Sequence, residues 1–265
     1  MNAGGSGERI AKVIARAGIC SRREAERWVA EGRVTLDGVR LESPAVTVTP
    51  GSAITVDGKP LPLPERSRLF RYHKPVGLLV AARDPRGRPT IYDHLPKNLP
   101  RLQPVGRLDL NSEGLLLLTN DGELKRRLEL PATGWSRRYR ARVHGKVETA
   151  ALEKLAKGVT VAGLRYEPIV ATLERIQGTN AWLTVTLREG KNREVRRVLE
   201  SLGLAVNRLI RVAYGPFQLG KLEPRALDEV PAKVLSEQLG IAPPSGFAKP
   251  KRRGAGQRAH RRRAS

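Results

Sequence analysis

Leu115 to Leu118 are four consecutive leucines, bracketed by Gly114 before them and by Asn120, Asp121 and Gly122 after. A short apolar run fenced by turn-formers is a candidate buried strand, and it needs sheet neighbours. The stretch that leads into it, PVGRLDLNSEG, sets Asp109 two residues after Arg107. Gly106 permits a close or unusual backbone path, and Asn111, Ser112 and Gly114 continue the loop up to the strand. On residue type alone Asp109 is either a turn residue facing water or a reactive group held in place.

Other segments extend the pattern. GLLVAA (77–82) is a second short buried-strand candidate, and AWLTVTL (181–187) alternates as a half-buried strand does. In YRARVHG, Tyr139, Ala141 and Val143 alternate with Arg138, Arg140, Arg142 and His144. VETAALEKLAKG and REVRRVLESLG carry the helical period, with Val195, Val198, Leu199 and Leu202 forming the inner stripe of the second. PAKVLSEQLG is a last helix. Strands joined by turns, with helices interspersed, predict an α+β chain with a largely antiparallel sheet and flanking helices.

The N-terminal region has a different texture. Ile10, Val13, Ile14 and Ala17 recur with helical spacing, while Arg9, Lys12 and Arg16 line another face. Gly18 closes that helix, Ser21 with Glu24 forms a capping box for a second, and Gly32 closes the second. RVTLDGVRL then predicts a hairpin turning at Asp37-Gly38. PLPLPERSR is a proline-rich boundary. The expected organisation is a flexible segment 1–7, a small module 8–60, a linker 61–68, a larger domain 69–240 and a disordered basic tail 241–265.

The formal charge is +23, and the eight Lys or Arg from Ala248 onward leave +15 on the rest of the chain. An excess that is not confined to a tail points to phosphate-bearing partners. An anionic membrane surface is the rival, but no long apolar segment, signal peptide or lipidation motif is visible. A single cysteine, Cys20, rules out an intrachain disulfide and fits a reducing compartment such as the cytoplasm. His73, His94, His144 and His260 with Cys20 show no zinc-ligand spacing, so no metal is expected. LREGKNRE lacks the earlier glycine of a phosphate-binding loop, and neither GxGxxG nor GxSxG occurs.

RIAKVIARAGICSRREAERWVAEGRVTLDG resembles the S4 RNA-binding domain. That resemblance implies contact with structured RNA through Arg9, Lys12, Arg16, Ser21, Arg22, Arg23 and Arg27; the alternative for the six basic residues is a solvated helical surface, which the one-sided charge disfavours. VGRLDLNSEGLLLLTNDG is similar to the motif around the nucleophilic aspartate of pseudouridine synthases, and GLLLLTNDG is typical of their RsuA/RluB group. YHKPVGLLV, RRYRARVHG and REGKNREVRRVLESLGLAVNRLIRVAYGPFQLG resemble further motifs in the same order. The EGKNREVRR form and the basic extension favour the RluB type, which acts on large-subunit RNA.

The resemblance implies a pseudouridine-synthase domain behind the S4 domain and residue roles within it. Asp109 corresponds to the nucleophile, Arg196 to the arginine that pairs with it, and Tyr139 to the ring that packs on the target base. Arg107 corresponds to a residue that enters the RNA where the base has left, and Val195 to an apolar residue of the pocket floor. Residue type alone leaves Arg193, Arg196 and Arg197 as the wet face of a helix, and Tyr139 and Val195 as core positions. LGKLEPRALDEV departs from the Gly-Glu-Arg ending of many members. The expected substrate is ribosomal RNA, 23S rRNA or a large-subunit assembly intermediate rather than 16S, acted on by a monomer without a cofactor.

Overall fold

The computed structural model describes residues 7–130 and 134–240. The expected basic tail lies outside the described residues, as does all of the expected flexible segment except Gly7. By compactness the chain divides into one unit that runs to Val230 and another from Pro231 onward. The described part of the latter is one helix, Ala232–Leu239, with Leu235 and Leu239 buried and Gly240 left-handed at its end.

The first unit opens with β1 (Glu8–Arg9), α1 (Ile10–Arg16) and α2 (Arg22–Ala30). Strands β2 (Val34–Leu36), β3 (Val39–Arg40), β4 (Thr47–Val48), β5 (Ile54–Val56) and β6 (Lys59–Pro60) follow. The capping box at the start of α2 is present in both directions, Ser21 accepting from Glu24 N and Glu24 from Ser21 N. Asp37 and Gly38 both take positive φ (51° and 83°), which turns β2 into β3. Ile10, Ile14, Ala25, Val29 and Val34 are fully buried in the core of this region. Arg9 departs from expectation: it is not on the first helix. Ile10 N donates to Val46 O at 3.0 Å and β1 pairs with β4, so Arg9 sits on a strand edge and α1 starts after it.

The second region contains β7 (Leu69–Lys74), β8 (Gln103–Val105), β9 (Glu113–Thr119), α3 (Gly122–Glu129), β10 (Arg137–His144) and α4 (Thr149–Lys154). After β11 (Val159–Val161) and β12 (Leu164–Tyr166) come β13 (Val170–Gln177), β14 (Asn180–Leu187), α5 (Glu194–Ser201), β15 (Ala205–Tyr214), β16 (Phe217–Gln218) and β17 (Leu227–Glu229). The main sheet has the order β13-β14-β10-β15-β9-β7-β17, with β16 beside β15 and β8 beside β9. Its pairings are antiparallel except β9–β15, which are parallel and meet at Ile210↔Glu113 and Arg211↔Gly114.

The leucine run occupies β9 as expected, and all four side chains are fully buried. Burial of each leucine is worth roughly 1.5–3 kcal/mol, so this strand anchors the sheet. One edge of β9 is taken by β7; the other is shared, β15 at its start and β8 from Leu117 on. Leu116 and Leu118 join Phe70, Tyr72 and Ile91 in one core. A separate core under α4 and α5 gathers Ala141, Val143, Leu183, Val195, Val198 and Leu199.

Two expectations fail here. GLLVAA is not a strand: apart from a single bridge between Leu79 and Thr90 it runs as turn and bend, with Leu78 alone fully inserted in the core. The strand in that region is the preceding LFRYHK, whose polar residues mask its alternation. Gly114 is not loop but strand, at φ +104°. A Cβ there would lie 2.4 Å from Arg211 O, so β9 and β15 approach closely only because this residue has no side chain.

Candidate active site

The loop Gly106–Ser112 leaves β8 and re-enters the sheet as β9, at the point where β15 replaces β8 on the edge. Its backbone is held along its length. Gly106 N donates to Glu129 Oε1 at 2.6 Å, and Gly77 N donates to Leu110 O at 2.9 Å. Lys74 Nζ donates to Asp109 O at 3.1 Å, to Ser112 O at 2.8 Å and to Pro75 O at 2.9 Å. Arg196 Nη2 donates to Asn111 O at 2.8 Å. Leu108, buried in the core, pins the loop from below. In this loop only Gly106 has positive φ (66°); a Cβ there would meet open space, so the glycine serves the turn and not a close approach.

Asp109 is the half-buried residue at the head of this clamped loop. It lines a cleft of about 570 Å³ together with Arg107, Tyr139, Glu194, Val195 and Arg211. A larger hollow, about 940 Å³, is bordered by Lys12, Pro62, Leu63 and Glu123 and shares no residue with the Asp109 cleft. Convergent charged groups make the smaller one the candidate site.

The structure brings Asp109, Arg107, Tyr139 and Val195 to one cleft and puts Arg196 just behind it. Arg107 is exposed at the rim. Tyr139 is half-buried on β10 and packs against both cores. Val195 is 5% exposed and belongs to the α4–α5 core as well as to the cleft wall. Arg196 is buried, whereas Arg197 is exposed and reaches only Asn192. The Arg196 guanidinium does not fork onto the Asp109 carboxylate. It donates to Asn111 O and, at 2.7 Å, to Val206 O. Burial and the neighbouring Arg193 pull its pKa down, and the charges of Asp109 and Glu200 oppose that pull.

Three buried charged groups escaped sequence reasoning: Glu194 and Arg211 on the cleft wall, and Lys74 behind the Asp109 loop. Lys74, fully buried, has its pKa drawn down to about 8 by burial, against the pull of Asp109 and Glu113. Glu194, at the start of α5, is 3% exposed; burial, opposed by the Lys191 N–H it accepts and reinforced by Glu189, pushes its carboxyl up to about 7. Arg211 lies buried on β15. Lys74 and Arg211 stand within motifs that raised the resemblance, but neither type nor spacing set them apart.

On the N-terminal helices the expected RNA contacts differ in availability. Arg9 and Arg23 are exposed with no ion pair among the described residues. Lys12 is held by Glu8 at 2.8 Å and by Glu123 of α3, and Arg16 by Glu8 at 2.7 Å. Arg22 and Arg27 make looser contacts, at 3.5–3.7 Å, with Glu24, Glu26 and Glu31. The Ser21 hydroxyl is used as the helix cap.

The RNA pseudouridylate synthase family model matches residues 68–201, and the S4 domain model matches residues 8–54. The chain belongs to the RNA pseudouridylate synthase family. This pseudouridine synthase is 44% identical over 230 residues to a Rickettsia felis protein described as an uncharacterized RNA pseudouridine synthase, covering 87% of this chain and all of the relative. It is 43% identical over 251 residues to ribosomal large subunit pseudouridine synthase B of Escherichia coli K12, covering 89% of this chain and 84% of that one. A crystal structure of a pseudouridylate synthase superposes with a TM-score of 0.61 at 27% identity, covering 88% of this chain and 99% of the other. Among the described residues of this synthase no helix is long and apolar enough to cross a membrane, and no group of three or more His, Cys, Asp or Glu is placed to hold a metal.

Proposed function

We propose that this synthase converts a uridine of large-subunit (23S) ribosomal RNA to pseudouridine, with Asp109 as the nucleophile. One observation carries the assignment of the residue: Asp109 heads a loop held at its backbone by Lys74, Gly77, Glu129 and Arg196, and it faces the cleft that Tyr139 and Val195 also line. A side chain presented so firmly is pre-organised for attack. Likeness to the large-subunit enzyme supports the RNA class.

The S4 region, joined through the proline-rich connection at 61–68, docks on folded RNA through backbone phosphates, Arg9 and Arg23 being its most available cations. A nucleotide is flipped into the cleft and Arg107 occupies the vacated stack. Flipping costs a few kcal/mol, least in a loop or bulge, so the target lies outside continuous duplex. The Asp109 carboxylate bonds to C1′ as the C1′–N1 bond breaks, the uracil turns against Tyr139, and C5 bonds to C1′ as the carboxylate leaves. The C5 proton is lost and N1 gains one, so the exchange balances without redox change or cofactor. Arg196 holds the loop in register and keeps a positive charge near the carboxylate.

The test is pseudouridine mapping of ribosomal RNA from cells lacking this chain, complemented by the wild type or by Asp109→Asn. Loss of one large-subunit pseudouridine, restored by the wild type alone, is expected. Restoration by Asp109→Asn rejects the nucleophile; an unchanged map rejects the substrate.

A further inference from the structure

Arg211 is a buried arginine whose bonding is incomplete. It is 3% exposed, yet it lines the Asp109 cleft. Its Nε donates to Leu115 O at 2.7 Å, and its guanidinium carbon lies 5.3 Å from the Tyr214 ring centroid. Those contacts fix the side chain but leave Nη2 buried with no hydrogen-bond partner. A buried guanidinium donor left unpaired is costly, and fold stability alone gives no reason to keep it.

Its position in the sheet says what it faces. Tyr139 is its cross-strand partner on β10, and directly opposite residues share a sheet face. Gly114 is its partner on β9, five residues after Asp109, where a side chain would strike the Arg211 backbone. The donor is therefore built into the junction between the Asp109 loop and the Tyr139 ring. A site this deep is closed to the phosphates of a continuous RNA chain, whereas a base turned out of its stack can enter it.

We propose that Arg211 is a substrate-binding residue whose Nη2 donates to a carbonyl oxygen of the flipped uracil, before and after the base turns. This rests on the functional reading above and deepens it. Exchanging N1 for C5 at the sugar rotates uracil about its N3–C6 axis, and that rotation also exchanges O2 with O4. A fixed donor beside the ring thus meets a carbonyl oxygen in both orientations and keeps the detached base from leaving. Cytosine would present an amino group in one of the two, so the same donor disfavours it.

The experiment uses the full chain and a large-subunit RNA transcript carrying uridine, 2-thiouridine or 4-thiouridine at the mapped target. Sulfur is a poor acceptor, so the wild type is expected to slow about tenfold on each thio transcript. Arg211→Met should lose about 100-fold in kcat/KM on uridine and become indifferent to sulfur. Arg211→Lys, which keeps a donor for Leu115 O, should lose at least tenfold with an unchanged melting midpoint. It keeps the test open if the methionine variant does not fold. Wild-type rates in Arg211→Lys, or a thio effect undiminished in Arg211→Met, overturn the proposal. A wild type that forms no pseudouridine in any ribosomal RNA rejects the functional reading and takes this inference with it.

Discussion

Lys74 Nζ donates to the backbone carbonyl of Asp109 from 35 positions earlier in the chain, and to Ser112 O and Pro75 O as well. Three carbonyls need three N–H donors, which only the ammonium form supplies. Lys74→Met is expected to lower kcat about 100-fold by loosening the loop, with KM little changed, in single-turnover assays. The wild-type rate should fall as pH rises through about 8, where the buried amine loses its proton. Stability moves the other way. The folded pKa lies below the unfolded 10.5, so between pH 8 and 10.5 the unfolded chain binds more protons and this group's contribution to stability rises with pH. Melting curves across that window check the sign.

Arg196 and Arg197 are neighbours with opposite fates. Arg196→Ala strands two carbonyls, Asn111 O and Val206 O, and should cost about 3 kcal/mol in urea unfolding together with most of the activity. Arg197→Ala, on the exposed face, should stay within about 0.5 kcal/mol and keep its rate.

Gly114 and Gly106 separate two uses of glycine. Gly114→Ala meets the Arg211 backbone at positive φ and should destabilise by about 2–4 kcal/mol, with loss of activity as β9 and β15 part. Gly106→Ala has positive φ but open space, and about 1–2 kcal/mol is expected. Thermal melts of the pair give the comparison.

Glu194→Gln should stabilise the protein above pH 7. The buried carboxyl has its pKa raised from 4.5 to about 7, so the folded state binds more protons between those values, and stability is lost as pH rises through the window. The amide keeps an acceptor for Lys191 N and removes the buried charge. A gain of at most about 3 kcal/mol at pH 8, vanishing below pH 4.5, is expected from melts at the two pH values.

RNA affinity measured against salt should distinguish free cations from occupied ones. Arg9→Ala and Arg23→Ala should each lower the log–log slope by about 0.9. Lys12→Ala should change it less, because Glu8 and Glu123 already neutralise that ammonium.

Patterns of side-chain type made much of this fold legible: the leucine strand, the capping box at Ser21, the Asp37-Gly38 turn and the α5 stripe. Strand β7 was hidden because Arg71, His73 and Lys74 fall in it and mask its burial. GLLVAA misled because an apolar run can line a cleft as well as fill a sheet. In the candidate site, motif resemblance singled out Asp109, Tyr139 and Val195, which line one cleft, and helical spacing agrees with a buried Arg196 over Arg197, since Arg197 lies opposite the Val195–Leu202 stripe. Lys74 and Arg211 were out of reach because their partners are main-chain oxygens distant in sequence, and a carbonyl leaves no mark on residue type.

The parallel contact of β9 with β15 spans only two residue positions. Asp109 hangs from one side of that short join, next to the buried Leu108, and Tyr139 from the other, where its ring packs against both hydrophobic cores. The spacing between Asp109 and Tyr139 is consequently tied to the join and to both cores at once, because the tyrosine touches the two of them. Repacking in either half therefore bears on the cleft through that ring, with the stitch at Gly114 and Arg211 as the common anchor.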